Sequence, residues 1–345
     1  MHAYRDVVPV ATPEQFREML DAARDGGFAY PAVNVTSTQT LNAALRGFVE
    51  SRSDGIVEIT TGAAMYLAGP SRDMAAGAHA FADFVHRIAE DLPVLIGLHT
   101  DHCAPADVDR FLIPLLTESA VRYAGGERPL FNSHMFDGSE LPLDENLRVS
   151  RSLLDVASEI GVVMEFEIGL VGGEEDGLDH TSADRAKLYS TPEDAIAVAH
   201  ALGTGERGRY LLAASFGNVH GHYAPGHVKL RPELLAELQR AVRNGNGRQF
   251  DFVFHGGSGS TLEEIGAALE NGVVKLNVDT DMQRAFSSAI ERHFRAADAR
   301  ASDDGLVVDK KLYDPRTWGR AAEDEMVELV ASYASDLGSA GRSLA

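Results

Sequence analysis

The residues in this chain that can do chemistry gather just after short apolar runs. One such place is HTDHC (99–103), with His99, Asp101 and His102. Another holds Ser133, His134 and Asp137; a third carries Glu165 and Glu167, followed by GGEEDG (172–177); a fourth runs into Asn218, His220 and His222. HGGSGS (255–260) begins with His255, and a last run ends in Asn277, Val278, Asp279, Thr280 and Asp281. Asn34 and Thr60 close two earlier runs. His102, His220 and His255 come from three separate run ends, and three protein ligands with one open position suit a catalytic zinc. An isolated histidine is more often a hydrogen-bonded core or surface residue. Three at matching positions, with carboxylates nearby, favour a metal, although no short-range zinc motif is present. HGGSGS offers backbone N–H groups and two serines that can cradle an anion, or a tight glycine turn capped by serine. The acidic GGEEDG is either a solvated charge run or part of a lid, because 172–191 is a long connection that could carry a mobile general base.

These positions need elements that converge. Strand candidates fall at 28–34, 55–60, 93–98, 129–134, 161–168, 210–216, 251–255 and 273–278, each short, rich in branched or aromatic residues and bounded by turn formers. Helix starts lie between them. Thr12-Pro13-Glu14-Gln15 and Thr191-Pro192-Glu193-Asp194 pair an N-cap with proline at the first helical position, and Ser260-Thr261 precedes acidic first-turn residues. Eight strands alternating with helices predict an α/β fold, a closed (β/α)₈ TIM barrel spanning 1–345 as one domain, with an extra C-terminal helical arm over about 300–345 and a helix at 321–337. An open doubly wound sheet would more often carry a glycine-rich phosphate loop after its first strand, and 34–42 (NVTSTQTLN) has none. In a TIM barrel the chemistry sits at the C-terminal strand ends, where these polar residues cluster.

Composition narrows the function further. Thirty-one basic residues against 52 acidic ones give a formal charge of −21, which argues against nucleic-acid binding but not against a local pocket for a small anion. The single cysteine, Cys103, excludes an intrachain disulfide and fits a reducing compartment. No apolar run reaches the ~20 residues of a membrane span, and the N-terminus lacks a signal-peptide pattern, so a cytoplasmic location without a membrane partner is the expectation.

Taken in order, LHTDHC (98–103), SHMFDGS (133–139), EFEIGLVGGEEDG (165–177), FGNVHGHY (216–223), FHGGSGS (254–260), KLNVDTD (275–281) and KLYDPR (311–316) resemble the class II, zinc-dependent fructose-bisphosphate aldolases over essentially the whole chain. The resemblance implies reversible cleavage of fructose 1,6-bisphosphate to dihydroxyacetone phosphate and glyceraldehyde 3-phosphate through a zinc-stabilised enediolate, in glycolysis and gluconeogenesis. It implies that His102, His220 and His255 hold Zn²⁺, and that Asp101 moves the proton on the hydroxyl where the C–C bond breaks. Glu175 would take the proton from dihydroxyacetone phosphate. Asp137 and Glu167 match a second metal position. Gly221, Gly256, Gly257, Ser258, Asn277, Val278, Asp279 and Thr280 match the donor phosphate pocket, with a monovalent cation (Na⁺ or K⁺) beside it. Asn34 and Thr60 would line the substrate site. Lys310 and Arg316 match residues that meet the far phosphate, the arginine across a homodimer or larger homo-oligomer.

The chain departs from that pattern in places. Thr60-Thr61-Gly62-Ala63 stands where a serine in a glycine-rich setting is usual, and the added methyl group narrows the aldehyde side. AMYLAGP (64–70) replaces a more glycine-rich loop. Ala224 stands where the family has a lysine that helps neutralise the donor phosphate, a contact worth on the order of 1.5–3 kcal/mol. The alternatives are therefore a paralogue with the same chemistry on another aldehyde or donor, and a noncatalytic binding barrel, which would have lost Asp101, Glu175 or a zinc histidine.

Overall fold

The computed structural model describes residues 9–172, 174–175, 178–179, 188–219, 229–243, 250–298 and 310–345, with backbone alone at 174, 175, 178, 179, 243, 297 and 298. Parallel strands β1 (Tyr30–Asn34), β2 (Gly55–Thr60), β3 (Ile96–Asp101), β4 (Ser133–Phe136), β5 (Val163–Ile168), β6 (Tyr210–Ala214), β7 (Asp251–Phe254) and β8 (Val273–Val278) each pair with the next, and β8 pairs with β1. This is the expected closed TIM barrel. Helix α1 (Pro13–Gly26) precedes β1. Then α2 (Thr38–Ser51), α3 (Thr61–Leu67), α4 (Met74–Ile88), α5 (Leu112–Ala124), α6 (Leu143–Glu159), α7 (Pro192–Leu202), α8 (Glu233–Arg243), α9 (Leu262–Glu270) and α10 (Thr280–Asp298) connect and follow the strands, before α11 (Lys310–Tyr313) and α12 (Pro315–Asp336).

Local chemistry starts these helices where the sequence signals them. Thr12 and Thr191 form reciprocal capping boxes with Gln15 and Asp194, each with proline in the first turn. At α9 the cap is Thr261, paired with Glu264. Such caps contribute about 0.5–2 kcal/mol each. The C-terminal helix starts before the expected 321, because Asp314 accepts a bond from Arg316 N and Pro315 takes the first helical position. It packs on α2 and α10, and Leu337 O accepts from Ala29 N at the entry to β1 (3.1 Å).

Two strand positions differ from the sequence expectation. The third and fourth strands were expected at 93–98 and 129–134, but β3 runs to Asp101 and β4 spans Ser133–Phe136. Strand β3 continues through polar residues because they pair with residues of β4 on both faces of the sheet. His99 Nδ1 meets Ser133 Oγ at 2.8 Å, and Thr100 Oγ1 meets His134 Nδ1 at 2.8 Å. An apolar-run criterion stops short where burial is achieved by hydrogen bonding instead.

Alternation along the strands sorts the barrel into zones. Val33, Val57, Leu98, Phe166, Leu212, Phe252 and Leu276 belong to the main core with the surrounding helices. Tyr30, Ala32, Ile56, Val163, Leu211, Ala213 and Val253 form a second apolar cluster with Phe16, Met19, Leu20 and Ala23 of α1. Helix α1 therefore plugs the end of the barrel where the strands begin. Further along the same strands, at the same alternation, stand Asn34, Glu58, His99, Asp101, Glu165, Glu167, Lys275 and Asn277, all buried.

Phe16 is 1% exposed at the centre of the α1 plug. Phe16→Ala should destabilise the protein by about 3–5 kcal/mol in equilibrium denaturation. A loss under about 1 kcal/mol would show that α1 does not close the barrel.

Candidate active site

The strand ends deliver the site. Asp101 is the last residue of β3, and two amides from the mutually adjacent strands β1 and β8 hold it. Asn34 Nδ2, from the end of β1, donates to Asp101 Oδ2 at 2.9 Å; Asn277 Nδ2, from β8, donates to Asp101 Oδ1 at 3.2 Å. The bonds fix the carboxylate plane while keeping its oxygens as proton acceptors. Thr60 ends β2 in register with Asp101, and its Oγ1 accepts from Ala63 N to cap α3 (3.1 Å).

His102 leaves β3 with φ at 38°, in the left-handed region that non-glycine residues occupy at a cost of about 1–3 kcal/mol. The turn carries its ring to the strand ends of β4 and β7. Its Nδ1 meets Asp137 Oδ2 at 3.1 Å, while Nε2 faces His255 Nδ1, also at 3.1 Å. The far nitrogen of His255, Nε2, meets Glu165 Oε1 at 2.7 Å.

These contacts determine where the protons are. An ionised carboxylate only accepts, so Asp137 fixes the proton on His102 Nδ1, and Glu165 fixes it on His255 Nε2. With both rings neutral, the two nitrogens that face one another are then both lone pairs. A shared cation resolves that arrangement. Two imidazole nitrogens at about 2.0–2.1 Å from a tetrahedral zinc would stand about 3.3–3.4 Å apart, close to the spacing here. A carboxylate behind each ring is the usual support of metal-bound imidazole. Among the described residues, oxygens or ring nitrogens of Asp101, His102 and His255 lie within 4.8 Å of one another, as do those of His102, Asp137 and Glu167. Glu167 Oε2 stands 3.6 Å from His255 Nδ1.

Burial sets the charge states. It pushes the His255 imidazole below its ordinary pKa despite the bond to Glu165, so the ring stays neutral and able to ligate. Burial would raise Asp137, but its bonds from His102 and Ser139 hold it below the usual carboxylate range. Burial would also raise Glu165, yet Lys275 and His255 keep it ionised. Glu58 is raised well above its ordinary value by burial and by Asp101.

Several expected residues take other places. His220, Gly221 and the position of Ala224 lie outside the described residues, and Glu175 is seen only as backbone paired with Leu178 in a two-residue strand. The glycine-rich stretch does not itself open a helix: α9 starts at Leu262, and Thr261 and Glu264 cap it. Ser258 is buried upstream of that cap, and the Tyr333 hydroxyl of α12 donates to Asp281 Oδ2 at 2.6 Å. Gly256 has φ +63°, and a Cβ there would stand 2.4 Å from Val219 O, so glycine lets this loop lie against the residue before His220. Val278 ends β8, Asp279 accepts from Gln283 Nε2, and Thr280 opens α10. Lys310 is exposed, and Arg316 pairs with Asp314 of its own chain at 2.7 Å.

Glu58 and Lys275 are not among the residues singled out from the sequence, and His99 and Glu165 are named there without a role; all four are fully buried. Their signal was a charged or polar residue inside an otherwise apolar strand, at the same alternation as Asp101 or Asn277.

A barrel whose strand ends gather two carboxylate-backed histidines around a held aspartate defines a metal-site enzyme of the TIM-barrel class. Residues 14–342 match the family model for class-II fructose-bisphosphate aldolase. The chain is 56% identical to a fructose-bisphosphate aldolase of Streptomyces galbus, over 98% of this chain and 100% of that one. It is 49% identical to the Mycobacterium tuberculosis enzyme of the same name, over 98% of this chain and 99% of that one. A solved fructose-bisphosphate aldolase from Campylobacter jejuni superposes with a TM-score of 0.84 at 35% identity, covering 99% of this chain and 100% of that one. The chain belongs to the class-II fructose-bisphosphate aldolase family, a metal-dependent family of enzymes. Among the described residues no helix is long and apolar enough to cross a membrane.

Burial lowers His134 to about 3, so the folded protein excludes a proton that the unfolded chain takes up near the ordinary histidine value. Stability contributed by the neutral ring is therefore present above about pH 6.5 and lost as pH falls toward 3. In metal-free protein, the slope of stability against pH between 4 and 6 should drop by roughly 1.4 kcal/mol per pH unit in His134→Gln. An unchanged slope in denaturation series would show that His134 is protonated in the fold.

Proposed function

We propose that this chain catalyses the reversible, zinc-dependent retro-aldol cleavage of fructose 1,6-bisphosphate to dihydroxyacetone phosphate and glyceraldehyde 3-phosphate. The observation that carries the reading is the pair of mutually facing histidine nitrogens, His102 Nε2 and His255 Nδ1, beside a carboxylate held at both oxygens. Whole-length relatives of the same printed name support this substrate over a paralogue's.

His102, His220 and His255 would hold the zinc, which when bound supplies a Lewis acid for the negative charge that develops as the C–C bond breaks. Asp101 takes the proton of the C4 hydroxyl in the cleavage direction and returns it to the aldehyde oxygen in condensation. Its two amide donors keep it aimed. Glu175, on the long connection after β5, gives a proton to the donor carbon in cleavage and removes it in condensation; a carboxylate on a closing segment acts only over bound substrate. Asp137 and Glu167 offer a second metal position. Gly221, Gly256, Gly257, Ser258, Asn277, Val278, Asp279 and Thr280 form the donor phosphate pocket, with Na⁺ or K⁺ beside the phosphate. Asn34 and Thr60 line the aldehyde side. Lys310 and an Arg316 supplied by a second copy of the chain meet the far phosphate. The protein would then work as a homodimer or larger homo-oligomer of single-domain barrels, in the cytoplasm, in glycolysis and gluconeogenesis.

Zinc-loaded protein should cleave fructose 1,6-bisphosphate in a coupled assay, and EDTA should abolish the activity. Glu175→Gln should lower kcat by about 10²–10⁴-fold. Negligible cleavage with zinc bound would refute the substrate, and cleavage unaffected by EDTA would refute the mechanism. Ala224→Lys should lower KM for the bisphosphate about tenfold, from the charge-assisted contact it restores. An unchanged KM would mean that other groups already neutralise the phosphate.

A further inference from the structure

Lys275 is a lysine with no exposure, placed inside the barrel on β8, two residues before Asn277. Three groups from three strands surround its ammonium. Nζ lies 3.0 Å from Glu165 Oε2 on β5, 3.0 Å from Glu58 Oε2 on β2, and 2.6 Å from Asn277 Oδ1 on its own strand.

Two of these contacts lead onward into the site. Glu165 turns one oxygen to Lys275 and the other to His255 Nε2, so the ammonium sets the carboxylate that fixes the proton and tilt of that ring. Asn277 is set in the same way. Lysine has only donors, so the amide must turn its oxygen toward Nζ, and its NH₂ then points at Asp101 Oδ1. Replace the ammonium by an apolar group and both constraints weaken: Glu165 loses its cation, and the Asn277 amide loses the donor that anchors its oxygen, so its hold on Asp101 loosens. The structure also explains why a cation is needed there. Glu58, Glu165 and Asp101 are all fully buried, and unpaired buried carboxylates are costly.

We propose that Lys275 is a positioning residue that locks the two halves of the reaction centre together: through Glu165 it orients the metal-binding His255, and through Asn277 it orients the proton-transferring Asp101. It touches neither metal nor substrate. The inference builds on the aldolase reading for its kinetic arm only.

The test is Lys275→Met, which keeps most of the length of the side chain and removes the charge. Zinc affinity is measured without substrate, by competition with a chromophoric chelator, so it reads the clamp whether or not the wild-type protein cleaves fructose 1,6-bisphosphate. The folded variant should bind zinc about 10–100-fold more weakly, the usual cost of losing a group behind a ligand. At saturating zinc its kcat should fall by at least about tenfold, a larger effect than on KM for the bisphosphate, because Asn277 is only one of eight residues proposed for the phosphate pocket. Zinc affinity within threefold of wild type would overturn the proposal. Where the single variant fails to fold, Lys275→Met/Glu58→Gln removes the carboxylate left unpaired on the side away from His255. This double variant should show the same loss of zinc affinity. Wild-type affinity in it would reduce Lys275 to charge balance and equally overturn the proposal.

Discussion

The bond between His255 Nε2 and Glu165 Oε1, at 2.7 Å, is the contact on which the rest of the site depends. It settles which nitrogen of a fully buried imidazole carries the proton, and so turns the other nitrogen into a ligand. For that bond to exist, a carboxylate must stay ionised in the interior of a barrel. An isolated carboxylate there would cost several kcal/mol and would take up a proton instead. Lys275 answers this from β8, and burial alone would lower its own pKa were it not for Glu165, Glu58 and Asp101, which together raise it. Each charge in the cluster is thus permitted by another.

The barrel makes such a cluster possible. Parallel strands with a side-chain period of two send every second residue inward, and closure brings eight such columns together. The lower part of the barrel is apolar, with residues of β1, β2, β5, β6, β7 and β8 sealed by α1; the upper part is polar and ends at the reaction centre. A single strand such as β8 therefore supplies Lys275 within the barrel and Asn277 just above it, with outward Leu276 and Val278 packed in the core shared with the helices. The hydrophobic shell holds the strands, and the strands fix the charges to within hydrogen-bonding distance.

Much of this was legible in the sequence, for identifiable reasons. Apolar runs and capping boxes located all eight strands and the starts of α1, α7 and α9, because both are local signals. Asp101, His102, Asp137, Glu167, His255 and Asn277 stood out because they sit at strand ends, and the structure brings them together. The end of β3 was misplaced, since His99 and Thr100 are buried by pairing with Ser133 and His134 of β4, which no single segment displays. Lys275 and Glu58 were passed over for the same reason: GIVEIT and VVKLNV each show one charge in an apolar run, and only closure of the barrel puts those charges 3.0 Å apart.

The central claim is that a metal lies between the facing nitrogens of His102 and His255. Zinc K-edge X-ray absorption on the reconstituted protein tests it most directly. The account predicts one tightly bound zinc per chain, with an imidazole-dominated first shell and nitrogen distances of about 2.0–2.1 Å. A shell made only of oxygen ligands, or protein that retains no zinc after dialysis, would contradict it.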